Sequence, residues 1–279
     1  MPRRNFVIVG LGLIGGSLAQ AIRKRFPGAR VVGVSRNPRK IAFAVQKRLI
    51  HKGFTQIRPA LQNAGFVFIC SPVDSIPKLI LEVDRHALPK TIVTDVGSTK
   101  GNIVRWADLK RFHNIQFVGS HPLAGSHLTG VGHARADLFN GAFVFVTPGR
   151  KSNRQAVRIV SRFWKRLRAS VCMISPEAHD KIVSEISHLP HAVASLLMHT
   201  VPLKSLRYGA SGFRDTTRIA QGDPSLWVPI FLTNRANLCR DLRRFEKSTR
   251  HLIALLEKRS APALRRFLQT ASVMRSRVR

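Results

Sequence analysis

Six residues near the amino terminus, Gly10-Leu11-Gly12-Leu13-Ile14-Gly15, constrain the fold more than any other stretch of the chain. They follow the apolar run NFVIVG (5–10) and open a segment, 15–26, with the spacing of a helix. Glycines placed in this way in a strand–turn–helix unit permit a tight turn, close approach of a pyrophosphate and close packing of helix on strand. A purely structural glycine turn is the alternative. We predict a dinucleotide-binding turn, with cofactor contacts from Gly10, Gly12, Leu13, Ile14 and Gly15.

The first part of the chain alternates short apolar runs with helix-like segments. The runs are rich in β-branched and aromatic residues, which is typical of buried parallel strands, and they cover 5–10, 30–35, 65–70, 91–96, 115–120 and 142–147. Helical segments such as 38–50 fit between several of them. This alternation predicts an α/β fold, a Rossmann-type domain with a parallel sheet and helices on both faces, over residues 1–174.

Beyond 170–175 the strand-like runs end, and we predict an all-helical C-terminal domain over residues 175–279. A mostly apolar stripe with steps of three and four residues predicts one long helix; it consists of Trp227, Phe231, Asn234, Leu238, Leu242, Phe245, Thr249, Leu252 and Leu256. So long a helix in so small a domain indicates that part of the stripe is buried against a second subunit. A bundle closed within one chain is the alternative. We expect a dimerisation domain and a homodimer.

The charge balance is strongly positive, with 47 Lys and Arg against 14 Asp and Glu, a formal net charge of +33. Such a field favours anionic partners such as nucleotides and carboxylates, and it leaves nucleic acid open as a partner. The basic residues are spread along the chain rather than gathered in a recognisable nucleic-acid module. A compositional bias of the source organism is the alternative explanation.

The sequence contains no apolar run near the roughly 18 residues that span a bilayer, so we expect no membrane partner. Four glycines interrupt the apolar stretch at the amino terminus, which argues against a signal peptide and for a cytoplasmic protein. Three widely separated cysteines, Cys70, Cys172 and Cys239, predict neither a disulfide framework nor a metal site.

The second predicted strand ends in Ser35 and Arg36, where an NAD-preferring domain usually carries Asp or Glu for the ribose hydroxyls. An NADP site can omit that carboxylate and place arginine beside the 2′-phosphate. The Ser35-Arg36 pair therefore favours NADP, although arginine is common throughout this chain and NAD stays possible. Ser71 follows the strand 65–70 and is a further candidate for cofactor contact, with an ordinary turn serine as the alternative.

Polar residues gather in four clusters: TDVGSTKG (94–101), GSHPLAGSHLTGV (119–131), SHLPH (187–191) and GFRDTTRIAQGDPSLW (212–227). The first two lie at the ends of predicted strands, where open parallel sheets bind their ligands. His121 is a candidate general base because the pKa of imidazole is near working pH, and Ser98 could orient it. Arg218 could bind a carboxylate through two parallel hydrogen bonds. Taken alone, a histidine or a surface arginine is more often structural.

These stretches together resemble the prephenate/arogenate dehydrogenase family of tyrosine biosynthesis. The resemblance covers nearly the whole chain and runs, in the family's order, through GLGLIGGSLA, DVGSTKG, GSHPLAGS with ADLFNGAFVFVTP, SHLPHAVA and FRDTTRIAQGDPSLW. It implies an NADP-dependent oxidative decarboxylation of prephenate and/or arogenate, small dicarboxylates, to 4-hydroxyphenylpyruvate or tyrosine.

The same resemblance implies roles for particular residues. His121 accepts the proton of the C4 hydroxyl group while hydride leaves C4 for the nicotinamide. Ser98 hydrogen-bonds the same hydroxyl and His121. The residues implied to bind or surround the substrate are Arg218, His191, Ser126 and His179.

The chain also departs from the family pattern. Many members carry Glu directly after AGS or AGT, where this chain has His127, and this leaves the choice between prephenate and arogenate open. The Ser35-Arg36 pair resembles the NADP-using arogenate branch. Two other classes remain as alternatives: a β-hydroxyacid-type NADP dehydrogenase, whose catalytic lysine has no equivalent placement here, and a basic nucleic-acid-binding protein on a dinucleotide fold.

Overall fold

Eight strands form one sheet in the computed structural model, which describes residues 5–125 and 130–278. Their order across the sheet is β3-β2-β1-β4-β5-β6-β7-β8. The strands are β1 (Asn5–Val9), β2 (Arg30–Val34), β3 (Lys52–Phe54), β4 (Phe66–Ile69), β5 (Thr91–Asp95), β6 (Ile115–Pro122), β7 (Phe143–Thr147) and β8 (Ser170–Met173).

The six strands from β3 to β6 run parallel. The sequence predicts five of them, β1, β2, β4, β5 and β6, but not the short strand β3. The prediction is wrong for β7, which pairs antiparallel with β6, while β8 is parallel to β7. Parallel neighbours need a crossover, usually a helix. The described part of the connection from β6 to β7 contains only a short 3-10 turn, Val131–His133, so the chain returns alongside β6.

The helices that follow or connect these strands are α1 (Leu13–Arg25), α2 (Pro38–Gln46), α3 (Ile57–Ala60), α4 (Ile76–His86), α5 (Gly101–Asp108), α6 (Arg154–Arg166), α7 (Pro176–Val183), α8 (Leu189–Thr200), α9 (Leu203–Leu206), α10 (Ser211–Thr217), α11 (Pro224–Thr233), α12 (Arg235–Glu257) and α13 (Ala261–Ser276). A π-helical turn, Ser184–His188, joins α7 to α8, and a 3-10 turn, Arg218–Gln221, follows α10. Every helix of the described ranges is too short or too polar to cross a bilayer.

Apolar side chains are buried on both faces of the sheet. Along β1, Phe6 and Ile8 belong to the core beneath α1 and α6, whereas Val7 and Val9 belong to the core beneath α3, α4 and α5. Successive side chains of a strand point to opposite faces, so a strand that is apolar at every position must be covered on both sides. This two-sided burial explains why the strand sequences are continuous apolar runs.

The chain forms two compact units, Met1–Asn234 and Arg235–Arg279. The predicted single helix through Trp227 and Leu256 is wrong, because α11 ends at Thr233 and α12 begins at Arg235. Between them Asn234 leaves the helical conformation, with φ −112 and ψ 24, and its side-chain amide donates to the Asp180 carbonyl oxygen at 2.7 Å. The domain boundary near residue 175 stays a prediction.

Candidate active site

The glycine turn between β1 and α1 has the shape that a pyrophosphate requires. Gly10 has a φ of +105, and a Cβ there would overlap the Cys70 carbonyl oxygen; a Cβ on Gly15 would overlap the Gly10 carbonyl oxygen. Gly12 faces open space, with no described heavy atom within 4 Å of the position of its missing Cβ. The first N–H groups of α1, those of Leu13, Ile14 and Gly15, have no partner within the helix, so the turn fits an anion.

The loop after β2 offers cations where a ribose-binding carboxylate would stand. The Ser35 hydroxyl accepts from the Asn37 N–H at 3.2 Å, and Asn37 in turn accepts from the Arg39 N–H at the start of α2. Arg36 is exposed beside them. The glycine turn is adjacent, because the Gly10 N–H donates to the Val34 carbonyl at 2.9 Å. The sequence has no Asp or Glu before Asp74, so no carboxylate is available from this part of the chain.

A chain of hydrogen bonds runs inward from His121, which is partly buried near the end of β6. Its Nδ1 lies 2.9 Å from Nε2 of His179, a wholly buried residue of α7. Nδ1 of His179 lies 2.8 Å from Oδ1 of Asp180. The predicted base is therefore linked, through a second imidazole, to a buried carboxylate.

Asp180 is held by the start of α5. The N–H groups of Lys100 and Gly101 donate to its two carboxylate oxygens at 2.7 and 2.8 Å. Burial alone would raise the pKa of Asp180, but the hydrogen bonds from His179 and these backbone groups outweigh it and lower the pKa. The carboxylate is therefore ionised and accepts every bond that it makes.

A second carboxylate, Asp95 at the end of β5, forms a wholly buried ion pair with Lys100. Asp95 also accepts from the Gly97 N–H at 2.9 Å, and its carbonyl accepts from the Ser120 hydroxyl at 2.7 Å. Burial lowers the pKa of Lys100, opposed by Asp95 and Asp180. The segment from β5 to α5 thus contacts Ser120, the neighbour of His121, on one side and Asp180 on the other.

The surroundings keep His121 neutral. Burial lowers its pKa well below the usual range, and nearby His179, Lys100 and His188 add to the effect. Burial likewise lowers the pKa of His179. A neutral imidazole carries a lone pair, so His121 can accept a proton at neutral pH.

Two further histidines lie on the helical side. His191 of α8 stacks on Trp227 of α11 with ring centroids 3.6 Å apart, and its buried Nδ1 has no hydrogen-bond partner in the described part of the chain. His188 is almost wholly buried, and its Nδ1 lies 3.1 Å from Nδ2 of Asn234. Because the amide nitrogen is a donor, Nδ1 of His188 is the acceptor.

His188 makes stability depend on pH. Burial, the largest cause, lowers its pKa to about 4 from 6.5. The unfolded chain therefore binds the proton more tightly, and this contribution to stability is lost as pH falls from above 6.5 towards 4. We expect the His188 contribution to the free energy of unfolding to fall by about 2 kcal/mol between pH 7 and pH 5.

Urea unfolding of the native protein and His188→Gln at both pH values checks this expectation, with an exposed histidine changed in His86→Gln as the control. The pH-dependent loss should be about 2 kcal/mol smaller in His188→Gln than in the native protein and the control. Equal losses in all three proteins would show that His188 is not the group that titrates.

The other predicted residues are placed as follows. Ser71 lies at the glycine turn, since its hydroxyl is 3.1 Å from where a Cβ of Gly10 would be. Ser98 is half-buried in the turn between β5 and α5, without a side-chain hydrogen bond to any described residue. Arg218 is exposed at the end of α10, with no described contact to His121 or His191. Ser126, like His127, lies outside the described residues.

Sequence reasoning missed four buried groups behind His121 and His179: the charged Asp95, Lys100 and Asp180, and the neutral His188. Asp95 and Lys100 stand in the cluster TDVGSTKG, and Asp180 directly follows His179, so proximity in sequence was the available signal. That signal does not reveal that Lys100 and Asp180, 80 residues apart, share a hydrogen bond.

The fold and the site together define a class of protein. A dinucleotide-binding turn and a neutral imidazole lie at the carboxyl ends of parallel strands, where open sheets bind ligands. These are the features of a nicotinamide-dependent dehydrogenase built on a Rossmann-type sheet.

Comparison with known proteins gives the family. Residues 18–173 match the model described as prephenate dehydrogenase, nucleotide-binding domain, and residues 175–270 match prephenate dehydrogenase, dimerization domain. The chain belongs to the prephenate dehydrogenase family, and it is an oxidoreductase of the prephenate/arogenate dehydrogenase type. The β-hydroxyacid alternative is thereby set aside.

Three relatives illustrate the similarity. Prephenate dehydrogenase of Bacillus subtilis is 37% identical over 276 residues, covering 95% of this chain and 73% of that protein. The prephenate dehydrogenase of A. aeolicus, solved with hydroxyphenyl propionate and NAD+, superposes with a TM-score of 0.93 at 33% identity, covering 100% of this chain and 99% of that one. Synechocystis arogenate dehydrogenase superposes with a TM-score of 0.82 at 30% identity, covering 98% and 99%.

Proposed function

We propose that this protein catalyses the NADP-dependent oxidative decarboxylation of prephenate and/or arogenate, giving 4-hydroxyphenylpyruvate or tyrosine. One observation carries the proposal: in a chain of this family, a neutral His121 lies at the same sheet edge as the dinucleotide turn. Both substrates are included because the relatives are named prephenate dehydrogenase and arogenate dehydrogenase. The strongly positive charge suits an anionic cofactor and a dicarboxylate substrate.

In the proposed reaction, His121 takes the proton of the substrate's C4 hydroxyl group as that carbon is oxidised. The glycine turn with Ser35, Arg36 and Ser71 would hold NADP, which would supply the acceptor for the hydride that leaves C4. Loss of carbon dioxide sends the electron pair of the broken carbon–carbon bond through the ring to the C4 oxygen, which regains a proton. The ring becomes aromatic, and this drives the step forward.

The remaining predicted residues act on the substrate in this proposal. Ser98 hydrogen-bonds the C4 hydroxyl group, and Arg218 binds a carboxylate through its guanidinium group. His191 contacts the substrate, and the wholly buried His179 acts behind His121. A substrate contact by Ser126, which lies outside the described residues, is carried over from the family resemblance alone. Orientation by several fixed polar groups is what brings the reacting carbon to the cofactor in the right geometry.

The choice of NADP rests on the loop after β2. NAD+ is the cofactor in the A. aeolicus complex, so the family alone does not select NADP. The support comes from this chain's own residues, since Ser35 and Arg36 replace the usual carboxylate and Arg36 is exposed beside the turn.

Replacing Arg36 by alanine tests that choice. We expect the KM for NADP to rise about tenfold in Arg36→Ala, because a charge-assisted hydrogen bond to the 2′-phosphate is worth ~1.5 kcal/mol, while the KM for NAD should change by less than about twofold. Steady-state kinetics with both cofactors measures this. Arg85→Ala, an exposed arginine on α4, is the control. Equal rises for NADP and NAD would count against a 2′-phosphate contact.

A homodimer is part of the proposal. Large apolar side chains remain exposed on α12 and α13 in the single chain, among them Phe245, Ile253, Leu256, Leu268 and Met274. Such residues are typical of a face that is covered by another subunit. The family model that covers this part is described as a dimerization domain, which supports the same assembly.

Turnover tests the proposed function. The rate of reduced-cofactor formation should be measured with prephenate and with arogenate, each with NADP and with NAD. We expect at least one substrate to react, faster with NADP than with NAD at limiting cofactor. No reaction in any of the four combinations would overturn the proposal.

A further inference from the structure

The hydrogen bonds behind His121 have a direction that their partners dictate. Asp180 accepts N–H bonds on both of its oxygens, from Lys100 and Gly101, so it is an acceptor toward His179 as well. Nδ1 of His179 must therefore carry the hydrogen that lies between it and Asp180.

That assignment determines the next bond. A neutral imidazole has one N–H, so if Nδ1 of His179 carries it, Nε2 of His179 is an acceptor. The 2.9 Å bond to His121 then requires Nδ1 of His121 to donate. The single N–H of neutral His121 is thereby placed on Nδ1, and the lone pair is left on Nε2.

We propose that Asp180 is a positioning residue that fixes, through His179, the neutral tautomer in which Nε2 of His121 is free to accept the substrate proton. The inference rests on the proposed function only for the source of that proton. The tautomer itself follows from the four hydrogen bonds that join His121, His179, Asp180 and the start of α5.

The arrangement also explains how His121 can hold a proton once it has taken one. The titratable groups around the two imidazoles are the ion pair of Lys100 with Asp95, the carboxylate of Asp180, and His188, which is neutral because burial lowers its pKa to about 4. Asp95 balances Lys100, so Asp180 is the unbalanced charge, and it stabilises the single imidazolium that forms when His121 takes the proton. In serine-protease triads a carboxylate has this same role, and its replacement by the amide costs about 10⁴ in kcat.

The tautomer can be observed without any turnover. In NMR spectra of the histidine ring nitrogens, the His121 signals are assigned by their loss in His121→Asn. We expect the native protein at neutral pH to show a protonated Nδ1 and an unprotonated Nε2 on His121. A protonated Nε2 on neutral His121 would overturn the inference even if the enzyme is active.

Variants of His179 test whether Asp180 fixes the tautomer of His121 through the two hydrogen bonds of His179, which we call the relay. His179→Leu removes the acceptor, so we expect the fixed Nδ1–H tautomer to be lost and kcat to fall about a hundredfold, with little change in the Kd of NADP. His179→Gln keeps an acceptor for His121 and a donor for Asp180, so we expect it to retain the Nδ1–H tautomer of His121. An unchanged tautomer in His179→Leu would overturn the relay.

The two proposals can fail separately. If the protein turns over neither prephenate nor arogenate, the proposed function is wrong. The tautomer assignment still holds in that case, provided that Nδ1 of His121 is protonated. If His179→Leu does not fold, the NMR spectra of the native protein and of His179→Gln still test the tautomer assignment and the relay. In that case loss of the tautomer in the glutamine variant counts against the relay.

Discussion

Replacing His121 by asparagine should lower kcat by about a thousandfold, because a positioned general base contributes roughly 10²–10⁴ to such a reaction. The side-chain amide of asparagine can still donate a hydrogen bond to Nε2 of His179. The buried hydrogen bond that His121 makes there at 2.9 Å is therefore replaced by a similar one. The Kd of NADP should change by less than about threefold, since the dinucleotide turn is untouched. Single-turnover kinetics and cofactor titration measure the two effects.

His86→Asn is the matched control, because His86 is exposed on α4 and makes no described side-chain bond. It should retain the native kcat. A value of kcat within about threefold of native in His121→Asn would rule out His121 as the base.

The second large effect concerns stability. Lys100→Met should reduce the free energy of unfolding by about 3–5 kcal/mol, because it leaves the carboxylate of Asp95 buried and unpaired. The ion pair itself need not be strongly stabilising, since both partners lost their water on burial. Urea unfolding at equal protein concentration measures the change, because a dimer's stability depends on concentration.

Two comparisons sharpen this experiment. The double variant Lys100→Met with Asp95→Asn should recover part of the loss, because the uncompensated charge is removed. Lys165→Met, at an exposed position of α6, should change stability by less than about 0.5 kcal/mol. A loss below about 1 kcal/mol in Lys100→Met would mean that Asp95 is not left as an unpaired buried charge.

Local signals in the sequence were enough for much of the fold. The glycine turn at Gly10 and Gly15 is readable because backbone crowding admits no other residue type there. Five of the six parallel strands, β1, β2, β4, β5 and β6, are readable because burial on both faces makes them continuously apolar. The position of His121 at the end of a strand followed from the same pattern.

What the sequence could not supply depends on contacts between distant segments. The reversal of β7 depends on the path of the chain after β6 rather than on the strand's own composition. The end of α11 at Asn234 depends on a side-chain bond to Asp180, 54 residues away. No local sequence pattern predicts the role of Asp180, because its hydrogen-bond partners Lys100 and Gly101 come close to it only in the folded chain.

Carbon dioxide and NADPH measured in one reaction decide whether this protein is an oxidative decarboxylase that works through His121. The substrate carries an isotopic label on the ring carboxylate, and both prephenate and arogenate are tried. We expect labelled carbon dioxide and NADPH in equal amounts, and almost none of either without NADP or with His121→Asn. NADPH formed without labelled carbon dioxide, or no reaction of either substrate, would contradict the proposed function.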